Sequence, residues 1–260
     1  MYRELFGLRF DAVTLRQASN KIIHNLKSVR KRIVITPNVD HIVRIEKDPE
    51  LKEIYTNSHY LFADGMPIVW LSRLVPGSSL PERVTGVDLL FDLVTKSEKL
   101  GLSVMFMGGG EGVAEQAARN LAKSYPSLKV AGTYFPKYGF ENDTNETNRM
   151  IECCNKCRPD ILFFGVGSPK QEKWITKYIE NLDVGVVLCI GAAIDFAAEK
   201  ISRAPVFLQK IGLEWLWRFL QEPKRLWKRY FLQDSIFVFL ALKELVKQWR
   251  SALRVDSKNL

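Results

Sequence analysis

The sequence predicts an α/β fold, a mainly parallel sheet with helices on both faces, followed by a helical appendage. Three observations carry that expectation. Six short, continuously apolar runs alternate with helix-period segments, the pattern of strands buried on both faces. After Asp195 the strand-like runs stop and only helical periodicity remains. Size allows it too, since 260 residues with 47% hydrophobic content can bury a large core.

The strands are expected at residues 32–35, 60–63, 103–107, 129–132, 160–164 and 185–190, with intervening helices such as 112–123 and 169–179. Ligands of such sheets sit beyond the carboxyl ends of the strands, so the loops there carry the functional reading. Helices are then expected over 206–220, onward from Pro223, and over 235–253, with Pro205 and Pro223 near two of the starts. This divides the chain into an α/β domain, residues 1–195, and a basic, aromatic-rich helical appendage, residues 196–260.

Charge separates the two parts. Residues 196–260 hold thirteen Lys/Arg against six Asp/Glu, most of the chain's net charge of +9. Between Leu213 and Tyr230, Trp215, Trp217 and Trp227 alternate with Arg218, Lys224, Arg225, Lys228 and Arg229. Rings interleaved with cations suit an anionic, partly apolar partner, first of all a membrane surface. The same residues can also be the core of a small helical unit, because apolar helix stripes usually face a core. The longest apolar run in the tail, 236–242, is bounded by Ser235 and Lys243 and falls far short of the ~20 residues that span a bilayer.

No secretory pattern opens the sequence, so Cys153, Cys154, Cys157 and Cys189 are expected as reduced thiols. The Cys154–Cys157 spacing lacks a second ligand pair, and His24, His41 and His59 share no ligand spacing; no metal site is expected.

At the strand ends, Asp64 follows the second strand, with Gly65 allowing a tight exit. It can accept a proton from a hydroxyl nucleophile or merely cap the next helix. Gly108, Gly109 and Gly110 follow the third strand, where backbone amides can meet phosphate or glycine can simply serve a turn. A nicotinamide enzyme would place an acid after the next strand, but Gly132-Thr133-Tyr134-Phe135-Pro136 has none. Gln171 and Glu172 open the helix after the fifth strand, as ligand contacts or as solvated surface. Arg83 can grip a diphosphate bidentately or be an ordinary surface arginine.

In order, Thr36-Pro37-Asn38, Ala63-Asp64-Gly65, Arg83-Val84-Thr85-Gly86, the triple glycine, Gly165-x-Gly167-x-Pro169-x-Gln171-Glu172, Gly191-Ala192-Ala193-Ile194-Asp195-Phe196, Arg203-Ala204-Pro205 and Leu213-Glu214-Trp215 resemble the WecG/TagA/CpsF family of bacterial glycosyltransferases. The resemblance implies a Rossmann-like fold and an inverting transferase. It would move an N-acetylmannosamine-type sugar from a UDP donor to a polyprenyl-diphosphate-linked N-acetylglucosamine during cell-surface polymer synthesis. It implies Asp64 as base, Thr36, Asn38, Arg83 and Gln171 in the pocket, and no metal or other cofactor. Arg218 and Arg225, completed by Lys228 or Arg229, would bring positive charge to the diphosphate at the inner face of the cell membrane. The chain would then be cytoplasmic and peripheral. In one departure, Glu199 stands where the family usually has glycine.

Two other classes compete: a nucleotide-cofactor oxidoreductase using the glycine loop, and a nucleic-acid-binding protein using the basic tail. The absent ribose-binding acid opposes the first, and the lack of any recognised nucleic-acid-binding motif opposes the second. The sequence leaves a homo-oligomer open and does not fix the donor sugar.

Overall fold

The computed structural model describes residues 1–26 and 28–256, without the side chains of Lys210, Arg225, Ser251, Ala252 and residues 254–256. The chain opens with a hairpin, β1 (Tyr2–Leu5) and β2 (Leu8–Asp11), closed by Phe6 and Gly7, both at positive φ (56° and 72°). Two successive left-handed residues make the turn whose twist matches a hairpin. The sequence reading missed this element.

The main domain follows: α1 (Leu15–Leu26), β3 (Arg32–Ile35), α2 (Val39–Ile45), α3 (Pro49–Thr56), β4 (Tyr60–Leu61), α4 (Met66–Leu74) and α5 (Gly86–Leu100). Then come β5 (Ser103–Gly108), α6 (Val113–Ser124), β6 (Lys129–Tyr134), α7 (Thr144–Cys157), β7 (Ile161–Gly165), α8 (Lys170–Tyr178), β8 (Val186–Cys189) and α9 (Ala193–Ala197). All six expected strands form one parallel sheet, in the order β4-β3-β8-β7-β5-β6. The four cysteines are free thiols.

Alternate side chains of each strand enter opposite cores, as strand geometry requires. Ile33, Ile35, Met105, Phe164 and Cys189 pack with α2, α3, α4, α7, α8 and the hairpin. Val34, Phe106, Phe163 and Leu188 pack with α1, α5, α6 and α9 on the other face. Burial on both faces explains why these strands read as unbroken apolar runs.

The remaining helices are α10 (Val206–Lys210), α11 (Glu214–Gln221), α12 (Pro223–Lys228) and α13 (Ile236–Asp256), with a π-helical turn at Arg229–Gln233. The single helix expected over 206–220 is two helices, broken at Gly212 with φ 78°. A β-carbon there would come within 2.9 Å of Met66 and Trp70, so glycine also allows a close approach to α4. Helix α13 lies against α2 and α4; Phe237 and Leu240 are buried in the first core, and Phe237 meets the Phe6 ring at 5.8 Å.

Candidate active site

A cleft of about 540 Å³ lies between the carboxyl ends of β3 and β4 and the helices that follow α9. The sheet side contributes Asn38, Asp40, Asp64 and Arg83; the other wall contributes Glu214, Trp215, Arg218, Arg229 and Tyr230. Five expected site residues therefore meet here, drawn from both parts of the chain: Asn38, Asp64, Arg83, Arg218 and Arg229. Thr36, just after the end of β3, is buried and does not line the cleft.

Asp64 does not cap α4. That helix begins at Met66 with Gly65 at its N-cap, where a φ of 131° suits glycine, and no side chain caps it. The Asp64 carboxylate instead accepts from Gly86 N at 3.4 Å, while its own N–H donates to Pro37 O at 2.9 Å. Burial pushes its carboxyl up to about 7; Arg83 pulls it down, and Glu214 and Asp88 push it up. A carboxylate in that range exchanges a proton near neutral pH, which suits a general base.

Arg83 is not an ordinary surface arginine. Its NH1 is 2.5 Å from Glu214 Oε2, and its NH2 donates to Gln209 Oε1 at 3.4 Å. Arg203 joins the same network, 2.5 Å from Asp88 Oδ1 and 3.5 Å from Glu214 Oε1. Asp88 is fixed by Thr85, whose hydroxyl donates to it at 2.8 Å and accepts from the Asp88 N–H at 3.0 Å. Arg218 lies over the Phe196 ring at 5.6 Å, with Nε 3.9 Å from Glu222. Arg229 reaches Asp40 at 3.3 Å and Asp234 at 3.8 Å. Burial, with Asp40 nearby, raises the Asp234 carboxyl to about 6.

Asn38 caps α2, its Oδ1 accepting from His41 N at 3.3 Å, and still faces the cleft. His41 is neutral at ordinary pH, because burial lowers it to about 4. Gln171 and Glu172 are neither solvated nor part of the cleft lining. Gln171 Oε1 accepts from Gly167 N at 3.2 Å and Gly191 N at 3.1 Å, tying the loops after β7 and β8 together. Its Nε2 donates to Glu172 Oε1 at 2.8 Å, and Tyr55 donates to the same oxygen at 3.4 Å. Burial raises the Glu172 carboxyl.

The glycine loop stands along the same sheet edge, outside the cleft lining. A β-carbon on Gly108 would fall 2.3 Å from Gly165 O, and one on Gly109 would fall 2.7 Å from Val113. Close packing against the Gly165 backbone and the Val113 side chain thus already calls for glycine at these two positions. Lys228 is exposed on α12, and the side chain of Arg225 lies outside the described residues.

Around the cleft, the aromatics pack on one another. Tyr230 contacts Trp215 at 6.0 Å and Phe219 at 6.3 Å, and Phe231 contacts Phe219 at 5.5 Å and Trp227 at 6.4 Å. Trp215, Trp227, Phe231, Leu220 and Phe207 nevertheless keep large exposed surfaces. Among the described residues no helix is long and apolar enough to cross a membrane, and no group of three or more His, Cys, Asp or Glu is placed to hold a metal ion.

Sequence reasoning missed Glu214, Arg203, Asp88, Asp40 and Asp234. Glu214 and Arg203 belong to motifs quoted above, but nothing in the sequence assigned them partners.

A carboxylate and several arginines gathered around one cleft at a sheet's carboxyl edge suit a transferase that needs a base and positive charge for an anionic leaving group. A family model described as "Glycosyl transferase WecG/TagA/CpsF family" matches residues 3–251, and the chain belongs to that family. It is 27% identical over 212 residues to a Bacillus subtilis (strain 168) protein, covering 82% of this chain and 79% of the relative. It is 25% identical over 243 residues to a Staphylococcus aureus (strain MW2) protein, covering 91% and 90%. Both relatives are named N-acetylglucosaminyldiphosphoundecaprenol N-acetyl-beta-D-mannosaminyltransferase. Family membership favours the glycosyltransferase reading over the oxidoreductase and nucleic-acid ones.

Proposed function

We propose that this chain transfers N-acetylmannosamine, or a closely related sugar, from a UDP donor to a polyprenyl-diphosphate-linked N-acetylglucosamine, with inversion. The acceptor and sugar come from the names of the relatives. The observation that carries the chemistry is Asp64, a carboxylate raised to about 7 beside Arg83 in the cleft.

In this reading the acceptor hydroxyl gives its proton to Asp64 as its oxygen bonds to the anomeric carbon. The bond from that carbon to the diphosphate oxygen breaks, and its electron pair leaves with UDP. One displacement inverts the centre. Arg83, Arg218 and Arg229 supply charge for the leaving diphosphate, the part a metal would otherwise take, and removing one such donor costs about 3 kcal/mol of transition-state stabilisation. Asn38 positions substrate, Thr36 supports the loop beneath it, and Gln171 with Glu172 holds the loops around it. Amides of Gly108–Gly110 meet the donor from the same sheet edge.

Residues 196–260 act as an appendage that completes the cleft and rests on the inner face of the membrane. Arg225 and Lys228 add cationic charge there, and the exposed Trp215 and Trp227 suit the interfacial zone. The test is UDP release from UDP-N-acetylmannosamine with a short-chain polyprenyl-diphosphate-N-acetylglucosamine, with and without a chelator. Acceptor-dependent, chelator-resistant release is expected. A strict divalent-metal requirement refutes the role given to the arginines, and a chain that binds no UDP-sugar refutes the reading altogether.

A further inference from the structure

Arg83 acts on two carboxylates, Asp64 and Glu214, and forms an ion pair with Glu214. Its guanidinium is taken by Glu214 at 2.5 Å and by Gln209 at 3.4 Å, residues of α11 and α10 that lie 131 and 126 positions along the chain. Among the described residues Asp64 forms no ion pair, and the donor to its carboxylate is Gly86 N at 3.4 Å. Glu214 is itself held on its other oxygen by Arg203, which Asp88 anchors. The partners that occupy Arg83 thus come from beyond α9, while the carboxylate it leaves alone belongs to the sheet.

We infer that Glu214 is a positioning residue of the transfer: by engaging Arg83 it keeps that guanidinium from neutralising Asp64, and so leaves the carboxylate able to take a proton. The inference rests on Asp64 being the base. A guanidinium paired directly with a carboxylate favours its charged form and lowers its proton affinity by about 1–3 units. Such a group is a poor base at neutral pH. The charged groups facing Asp64 are Arg83, Glu214 and Asp88, with Arg83 pulling one way and the two acids the other. Replacing Glu214 by a neutral residue removes one acid and releases Arg83, and both changes act downward on Asp64.

The experiment uses the full chain, its Glu214→Gln and Glu214→Asp variants, and Gln209→Leu. Carboxyl-carbon NMR reads the titration midpoint of Asp64 directly, and acceptor-dependent UDP release gives the pH dependence of kcat/KM. Glu214→Gln is expected to lower the Asp64 midpoint by about one unit or more and to carry the acid limb of kcat/KM with it. Glu214→Asp, which keeps the charge, should stay near the parent, and Gln209→Leu should move in the same direction by less. A purely structural tie would change amounts of folded protein without moving the midpoint. An unmoved midpoint in folded Glu214→Gln overturns the inference; should that variant not fold, an unmoved midpoint in Gln209→Leu does so. A midpoint that moves while Asp64→Asn still transfers sugar overturns the base assignment instead, and the catalytic role of Glu214 with it.

Discussion

Asp64→Asn should make the protein inactive and more stable at the same time. Asparagine has nearly the shape of the carboxylate and can accept the same hydrogen bond from Gly86 N. Its loss as a base is expected to lower turnover by about 10²–10⁴-fold. The stability effect follows from linkage. Burial raises the folded carboxyl from 3.8 to about 7, so the folded state holds a proton that the unfolded chain has already released. Stability is therefore full below about pH 3.8, falls as pH rises towards 7, and stays at its reduced level above that. The whole difference is worth about 2–4 kcal/mol, allowing for the opening of Asp64 onto the cleft. Urea unfolding of parent and variant at pH 5 and pH 8 measures it. The variant's advantage should grow by about 1–3 kcal/mol between the two. An advantage independent of pH, or a variant less stable at both, would refute the assignment of a raised carboxyl to this site.

Three further outcomes are expected. Glu199 sits at φ 58°, the left-handed region that costs an ordinary residue about 1–2 kcal/mol, so Glu199→Gly should raise the urea midpoint by the equivalent of about 1 kcal/mol. Arg218→Ala should reduce UDP release by about 10²-fold with little change in circular dichroism, because its guanidinium lines the cleft over Phe196. Sedimentation with anionic vesicles should weaken as salt rises and nearly vanish with neutral vesicles, since each Lys or Arg near an anionic leaflet contributes about 1 kcal/mol.

What could be read from the sequence follows from how local each signal is. Strands β3, β4, β5, β7 and β8 were legible because both faces are buried, leaving no polar alternation to obscure them, whereas the edge strand β6 is only partly buried. The hairpin was not: Leu5, Leu8 and Phe10 point inward while Tyr2, Glu4 and Arg9 stay exposed, and its turn uses Phe6 where Asn or Asp is usual. Asp64, Arg83 and Asn38 could be picked out because strand ends place ligands. Their partners could not, because pairs such as Arg83 with Glu214 depend on how distant helices dock. Gln171 and Glu172 sat in the expected loop, yet only the structure shows that they hold it from within.

The strand order has a consequence for how the chain reaches its folded state. Strand β8 lies between β3 and β7, yet it is the last strand of the sheet to be synthesised. Strands β5, β6 and β7 are neighbours both in sequence and in space and can assemble early. The β3–β4 pair has no route to them until residues 186–189 arrive, about 150 positions after β3 begins. Such long-range closure makes folding slow, and it leaves one side of β3 and of β7 open to mispairing for that interval. The central strand thus acts as a late keystone, and conditions that protect half-built sheets should govern the yield of native protein.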